Sequence, residues 1–222
     1  MKYKKLPGKL FTIGYSGFDI QTFVDTINDC NINVIMDVRS SPYSSHFPEY
    51  NADNLKNLVS NKKNWKQGIA YYVPMKESFG ARQTNPAYFS KEKFLDFEKF
   101  QKSKQFLAGC TQVLNGLSQG YNIVLLCAER EPSHCHRAVL ITRWFDVHGY
   151  AVTHILPGTL KVQSDVDEEL LQKYLNKNYM KNMQSGSLLA LDKSPEEIRK
   201  EDIEKAYRKQ NREIGFRQTE EE

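Results

Sequence analysis

Short apolar runs alternate along the chain with longer segments whose apolar residues recur at helical spacing. The clearest run is Asn122-Ile-Val-Leu-Leu126, and similar runs cover residues 10–14, 34–38, 70–73 and 151–156. Strands that alternate with helices are typical of βαβ units, and a run that is apolar on both sides of its pleat indicates a buried parallel strand. We therefore predict an α/β fold, a Rossmann-like three-layer sandwich with a mainly parallel sheet.

Periodicity and capping residues predict the helices. Asp19 is placed to cap a helix after the first strand, and a short helix is expected at residues 53–60. Residues 90–117 carry apolar side chains at helical spacing, and Gly109 is expected to break this segment into two helices. A further amphipathic helix is expected over residues 136–148.

The chain divides into two regions of different composition. We predict one α/β domain over residues 1–161 and a helical C-terminal extension over residues 162–222, with helix expected at 166–180. The first part of the extension is expected to pack on the domain, and its end is expected to be charged or mobile. Ser194-Pro-Glu-Glu197 combines a cap, a first-turn proline and a capping-box glutamate, which together predict a second helix start. Few apolar residues follow, so this last helix is expected to be a charged appendage and not part of the core.

Composition predicts a cytoplasmic protein. The four cysteines are too few for a disulfide-stabilised secreted scaffold, and the basic N-terminus has no apolar stretch behind it that would indicate a signal peptide. No apolar run approaches the roughly 20 residues that a membrane helix needs, so no membrane partner is expected. The sequence makes no prediction of oligomeric state.

Polar residues follow the predicted strands at the points where the strands end. In an open parallel sheet these carboxyl ends line the ligand crevice. The residues predicted to lie there and to bind an anion or substrate are Tyr15, Ser16, Arg39, Ser40, Arg82 and Arg137.

The segment Cys127-Ala-Glu-Arg-Glu-Pro-Ser-His-Cys-His-Arg137 carries the densest set of reactive residues. Cys127 ends a predicted strand, and Cys135, His136 and Arg137 open the following helix. A helix start favours anions and lowers the pKa of a thiol, while an arginine fork suits carboxylate or phosphate. We predict Cys127, Glu129, Cys135 and His136 as catalytic residues, together with Asp37 from the second strand end.

Other roles are open for these residues. Cys127 could be a packed apolar side chain, and Asp37 could serve only to hold Arg39 in an ion pair. Cys127, His134, Cys135 and His136 are also possible zinc ligands, but their spacing differs from the usual ligand pairs and adjacent residues seldom bind one ion. We therefore predict neither a metal site nor another cofactor.

In combination, these segments resemble the DUF488 family of bacterial and archaeal proteins. The resemblance rests on Thr12-Ile-Gly-Tyr-Ser16, Asp37-Val-Arg39 with the following Ser-Ser-Pro42 and Phe47, Ser78-Phe-Gly-Ala-Arg82, and Leu126-Cys-Ala-Glu129 with Cys135-His-Arg137. It spans roughly residues 10–160. The resemblance implies one compact α/β domain and a suspected enzymatic role without an accepted substrate.

The sequence supports three functional hypotheses. The first is an enzyme of unassigned reaction class that acts on a phosphorylated or nucleic-acid-linked substrate, and the net charge of +4 suits an anionic small molecule or nucleic acid as its partner. The second is a non-catalytic nucleic-acid-binding module. The third is a metal-dependent hydrolase.

Overall fold

The computed structural model describes residues 3–66, 70–175 and 194–218. Their strands form one six-stranded sheet in the order β3-β2-β4-β1-β5-β6, in which every neighbouring pair is parallel except the antiparallel pair β5 and β6. The strands are β1 (Leu10–Gly14), β2 (Val34–Asp37), β3 (Tyr71–Pro74), β4 (Ile123–Cys127), β5 (Val152–Leu156) and β6 (Thr159–Val162). The predicted α/β fold with a mainly parallel sheet is confirmed.

Helices connect most of the strands, and two further helices come after the last strand in the chain. They are α1 (Ile20–Asp29), α2 (Ala52–Ser60), α3 (Lys76–Phe79), α4 (Phe97–Phe100), α5 (Lys104–Ser118), α6 (Arg143–Val147), α7 (Gln163–Tyr174) and α8 (Pro195–Ile214). A π-helical turn, Arg137–Thr142, leads directly into α6. The Asp19 side chain caps α1 by accepting a hydrogen bond from the backbone N–H of Thr22, as predicted.

The core lies on both faces of the sheet, which makes the three layers. The apolar residues of α1 and α2 pack on one face together with Phe11, Ile13 and Tyr15. The residues of α5 to α8 pack on the other face together with Val38 and Cys127. We call these the α1 face and the α5 face.

The prediction for residues 90–117 was partly wrong. The first residues of this segment are not helical, since Phe89 and Leu95 form an isolated β-bridge. The break between the two helices falls before Ser103, whose side chain caps α5, and Gly109 lies inside α5. A Cβ atom at Gly109 would lie 2.6 Å from the Cβ of Ser78, so close packing against α3 explains this glycine better than a break does.

The sheet also contains a strand that the sequence did not predict. Pro157 and Gly158 were expected to end the sheet, but they form a tight turn from which β6 pairs back onto β5. Gly158 has φ +73°, the conformation that a glycine after a proline readily supplies in a turn.

The C-terminal region packs on the sheet. Helix α7 begins three residues before the expected helix at 166–180, and residues 176–180 lie outside the described residues. Ser194 and Glu197 form the predicted capping box of α8. The expectation that α8 is an appendage was wrong, because its Ala206 and Tyr207 belong to the apolar core.

Within the described ranges, no helix combines the length and apolar character needed to cross a membrane.

Replacing Gly109 with alanine should destabilise the fold. Alanine favours a helix by about 0.8–1 kcal/mol over glycine, but the new methyl group meets Ser78 and the ring of Phe79, and overpacking of this kind costs about 1–3 kcal/mol. Urea unfolding should therefore show a lower free energy of unfolding for Gly109→Ala. Gln112→Ala, on the exposed side of the same helix, is the control and should stay within about 0.5 kcal/mol of the native chain. An unchanged or raised stability of Gly109→Ala would disprove the packing role.

Candidate functional site

Four reactive side chains meet at the carboxyl end of β4. Cys127 is the last residue of β4, and Glu129 follows two residues later. The chain then makes a single 3-10 turn, Pro132–His134, and returns to the sheet with Cys135 and His136. We call Cys127, Glu129, Cys135 and His136 the four-residue cluster.

The cluster is tight. Oε2 of Glu129 lies 2.9 Å from Sγ of Cys127 and 2.9 Å from Sγ of Cys135. Nδ1 of His136 lies 3.8 Å from the first sulfur and 3.9 Å from the second. One potential ligand atom from each of the four residues lies within 4.8 Å of the others. The structure thus brings together Cys127, Cys135 and His136, three of the four residues whose spacing had argued against a metal site, and it adds Glu129 in place of His134.

His136 is oriented by the backbone of the neighbouring strand. Its Nε2 atom lies 3.1 Å from the carbonyl oxygen of Val38, the residue that follows β2. A carbonyl oxygen only accepts hydrogen bonds, so Nε2 must carry a proton. The other ring nitrogen, Nδ1, faces the two sulfurs and offers them a lone pair whenever the ring is neutral.

Burial and mutual interaction shift the pKa values of the two thiols in opposite directions. Burial raises the pKa of Cys127, and the neighbouring Cys135 raises it further. Burial alone would also raise the pKa of Cys135, but the hydrogen bond from Cys127 and the charges of Arg137 and His136 lower it below its usual range. Cys135 is thus the thiol that ionises more easily.

The same surroundings raise the pKa of the other two members. Residue 129 is exposed as a whole, but its carboxyl group turns toward the thiols, and the loss of water around the carboxyl raises the pKa of Glu129. Burial by itself lowers the pKa of His136, whereas its contact with Cys135 and the charge of Glu129 raise it, and the net direction is upward.

Arg137 holds the loop that presents Glu129. The residue is fully buried, and its guanidinium donates to the backbone carbonyls of Glu129 and Arg130 and to Oγ1 of Thr12. Its backbone N–H lies 3.4 Å from Sγ of Cys135. The guanidinium that we predicted to bind an anion therefore donates its hydrogen bonds to groups of the protein itself.

Several backbone N–H groups of the predicted helix start are also bonded within the protein. The N–H of Cys135 donates to the carbonyl of Pro132, and the N–H groups of Ala138 and Val139 donate to the carbonyl of Cys135. These three N–H groups therefore have their hydrogen-bond partners within the chain.

A series of buried hydrogen bonds extends from Thr12, the side-chain partner of Arg137, to the C-terminal helix. Thr12 Oγ1 is bonded to Nδ1 of His154 at 2.8 Å, and Nε2 of His154 is bonded to Oε1 of Gln163 at 3.0 Å. Gln163 in turn donates to the hydroxyl of Tyr207 on α8. The site is therefore connected by hydrogen bonds to the C-terminal helix.

A glycine lets the loop pass over the end of β1. Gly14 pairs with Cys127 across the sheet, and a Cβ atom at Gly14 would lie 1.8 Å from the backbone oxygen of Glu129. Only a residue without a side chain allows this approach.

The Asp37–Arg39 pair lies on the opposite face of the sheet. Met36 and Val38 point to the α5 face, so the side chain of Asp37 between them points to the α1 face. Asp37 is buried and binds Nε and Nη2 of Arg39 at 2.8 and 2.5 Å, and it accepts a hydrogen bond from Tyr72. The structure thus does not bring Asp37 into the four-residue cluster.

The remaining predicted residues are dispersed around the same end of the sheet. Tyr15 is buried and stacks on Tyr50, while the backbone N–H of Ser16 donates to the carbonyl of Ala128. Ser40 accepts a hydrogen bond from the backbone N–H of Arg82, whose guanidinium lies 5.8 Å from the ring of Phe216.

Several residues that shape the site were missed by sequence reasoning. Thr12 is flanked by apolar residues in its strand, so an isolated polar residue was the available signal there. His154 follows Thr153 in a short strand and gave a weaker signal. Gln163 and Tyr207 lie in the predicted C-terminal extension, and Tyr207 belongs to the last helix, which we had expected to be an appendage. The carbonyl of Val38 gives no side-chain signal at all.

Comparison with known proteins identifies the family. The family model described as "Domain of unknown function DUF488" matches residues 19–144, more than half of the chain. The chain belongs to the DUF488 family. The match covers the entire four-residue cluster and Arg137, whereas Thr12 and α8 lie outside it. No curated protein and no solved structure matches the DUF488 chain described above.

Stability should depend on pH through His154. Burial and the charge of Arg137 lower the pKa of His154 from 6.5 to about 4 in the folded chain. Between these values the unfolded chain binds a proton that the folded chain does not, so stability falls as the pH is lowered through this interval. The loss amounts to roughly 3 kcal/mol at about 1.4 kcal/mol per pKa unit.

Urea unfolding of the native chain and of His154→Gln over this pH interval tests the assignment. Glutamine keeps one donor and one acceptor but cannot titrate, so the variant should lose less stability on acidification than the native chain. Equal pH dependence in both proteins would exclude His154 as the source.

Proposed function

We propose that this DUF488 protein is an enzyme that acts on a phosphorylated or nucleic-acid-linked substrate at the carboxyl end of its sheet, with the four-residue cluster as its reactive centre. The observation that carries the proposal is the convergence of two thiols, a carboxyl and an imidazole within 4.8 Å. Convergent groups of this kind at the carboxyl end of a parallel sheet are typical of active sites.

Glu129 is the member of the cluster that meets the substrate. Cys127, Cys135 and His136 are all buried, whereas Glu129 is exposed and its carboxyl contacts both thiols. A carboxyl that lies between solvent and the buried thiols is placed to transfer a proton to or from a bound substrate.

Positive charge at the same end of the sheet supports an anionic substrate. Arg130 is exposed directly beside Glu129, and Arg82 is exposed beside Ser40. Arg39 is buried, and its Nη1 atom has no hydrogen-bond partner within the described part of the chain. A phosphate group accepts hydrogen bonds from exposed guanidinium groups such as those of Arg130 and Arg82.

Arg137 and Asp37 take supporting roles in this proposal. Arg137 positions the loop of Glu129 through the two carbonyls that it binds, and Asp37 fixes the guanidinium of Arg39. Neither residue is proposed to react with the substrate.

Glu129→Gln should lower turnover by at least about 100-fold, because general acid–base catalysis contributes about 10²–10⁴-fold. The measurement is hydrolysis by the full-length protein of p-nitrophenyl phosphate, bis-p-nitrophenyl phosphate, and fluorescently labelled single-stranded DNA and RNA. Glu131→Gln is the matched control, since Glu131 pairs with Arg130 and Lys161 and does not contact the thiols. Circular dichroism verifies that both variants are folded.

A non-catalytic nucleic-acid-binding module would give a different result. None of the four probes would be turned over, and oligonucleotide binding would fall steeply with salt while surviving Cys127→Ser and Cys135→Ser. That combination, or equal turnover by Glu129→Gln and the native protein, would reject the proposed function.

A further inference from the structure

We propose that the four-residue cluster binds one divalent metal ion of the zinc class, with Cys127, Cys135 and His136 as permanent ligands and Glu129 in an exchangeable fourth position. This inference rests on the proposed function and deepens it, since it assigns a chemical role to the three buried residues of the same site.

The donor atoms determine the class of ion. Two thiolates and one imidazole nitrogen are soft or intermediate donors that suit zinc and similar transition metals, whereas magnesium and calcium require oxygen donors. Four coordination by cysteine, histidine and carboxylate is the usual environment of zinc in proteins.

The distances between the donors fit a tetrahedral ion. Bonds of about 2.3 Å to sulfur and about 2.0–2.1 Å to nitrogen place tetrahedral sulfur and nitrogen ligands roughly 3.6 Å apart. The two sulfurs lie 3.8 and 3.9 Å from Nδ1 of His136, so an ion fits between these three donors with only small movements. Oε2 of Glu129 lies closer, at 2.9 Å from each sulfur, and each of these distances would lengthen by about 0.7 Å when the carboxylate takes the fourth position.

The hydrogen bonds around the cluster match those that support metal ligands. A ligating histidine usually donates its second ring N–H to a carbonyl or carboxylate, which turns the unprotonated nitrogen toward the ion. His136 makes this bond to Val38 and presents Nδ1 to the two sulfurs. The N–H of Arg137, 3.4 Å from Sγ of Cys135, would likewise support a thiolate ligand.

Burial separates the permanent ligands from the exchangeable one. Cys127, Cys135 and His136 are 2%, 1% and 8% exposed, whereas Glu129 lies at the surface. Catalytic zinc sites commonly combine three protein ligands with a fourth position open to water or substrate. Exchange of Glu129 for a substrate oxygen would put the anionic group against the ion and leave the carboxyl free beside it.

When the ion binds, the cluster releases its thiol protons. Each cysteine that enters as a thiol loses its proton to solvent when its sulfur binds the ion, and His136 binds through its neutral ring. No oxidant or reductant takes part.

Titration of the full-length, untagged protein with zinc and with cobalt tests the site. We expect one equivalent to bind, and we expect the cobalt form to show a thiolate-to-cobalt charge-transfer band together with the visible bands of tetrahedral cobalt. Cys127→Ser and Cys135→Ser should each weaken binding by at least about 100-fold, because even supporting groups outside the ligand set contribute about 10–100-fold.

Two further variants test the arrangement of the ligands. Cys30→Ser is the control, because Cys30 is a partly buried thiol at the end of α1 and outside the cluster, and it should bind cobalt like the native protein. Glu129→Gln should keep the charge-transfer band, because both thiolates remain, while the visible bands shift as the fourth ligand changes.

The proposal fails if the folded native protein binds less than stoichiometric zinc, if bound cobalt lacks the thiolate band, or if the band of Cys127→Ser saturated with cobalt keeps the full native intensity, because that variant retains only one of the two thiolates. These outcomes are separable from the proposed function. If the protein binds no zinc but shows turnover that depends on Glu129, the metal site is rejected and the proposed enzymatic function is kept. Stoichiometric zinc without turnover of any of the four probes would keep the ion and reject the enzyme.

Discussion

The buried guanidinium of Arg137 is the interaction on which the rest of the site depends. A full positive charge inside a protein is costly unless several acceptors surround it, and here the backbone oxygens of Glu129 and Arg130 and the hydroxyl of Thr12 do so. These acceptors come from two different segments, so the side chain fixes the β4 loop against β1. The charge also favours the thiolate of Cys135. Loop position and thiol chemistry therefore have one common cause.

The sheet separates two groups of polar residues at the carboxyl ends of its strands. The four-residue cluster occupies the α5 face, while Asp37, Arg39 and Tyr72 occupy the α1 face. Their link is the backbone of Val38, whose carbonyl binds His136 while its neighbours carry the second group. A ligand at the carboxyl end of the sheet can contact both groups only by reaching across the strand ends.

The sequence predicted the sheet and the location of the cluster because both depend on local patterns. Apolar runs located five of the six strands, and the density of reactive residues located the segment from Cys127 to Arg137. The roles of Arg137 and Asp37 depend instead on which face each side chain occupies and on acceptors from distant strands. Gln163 and Tyr207 were missed for a related reason, since polar residues in a charged region give no sign that tertiary packing buries them.

The π-helical turn at Arg137–Thr142 sets a limit on the length of the chain in this region. Such a turn holds one residue more than an α-helical turn, and in an α-helix each residue advances the direction of the side chains by about 100°. Deletion of a single residue here would let the helix become regular, but everything before the deletion would rotate relative to the core that α6 anchors. His136 would then leave the carbonyl of Val38. An exposed loop tolerates a change of length. At this buried helix start, by contrast, the number of residues determines the orientation of the His136 imidazole ring.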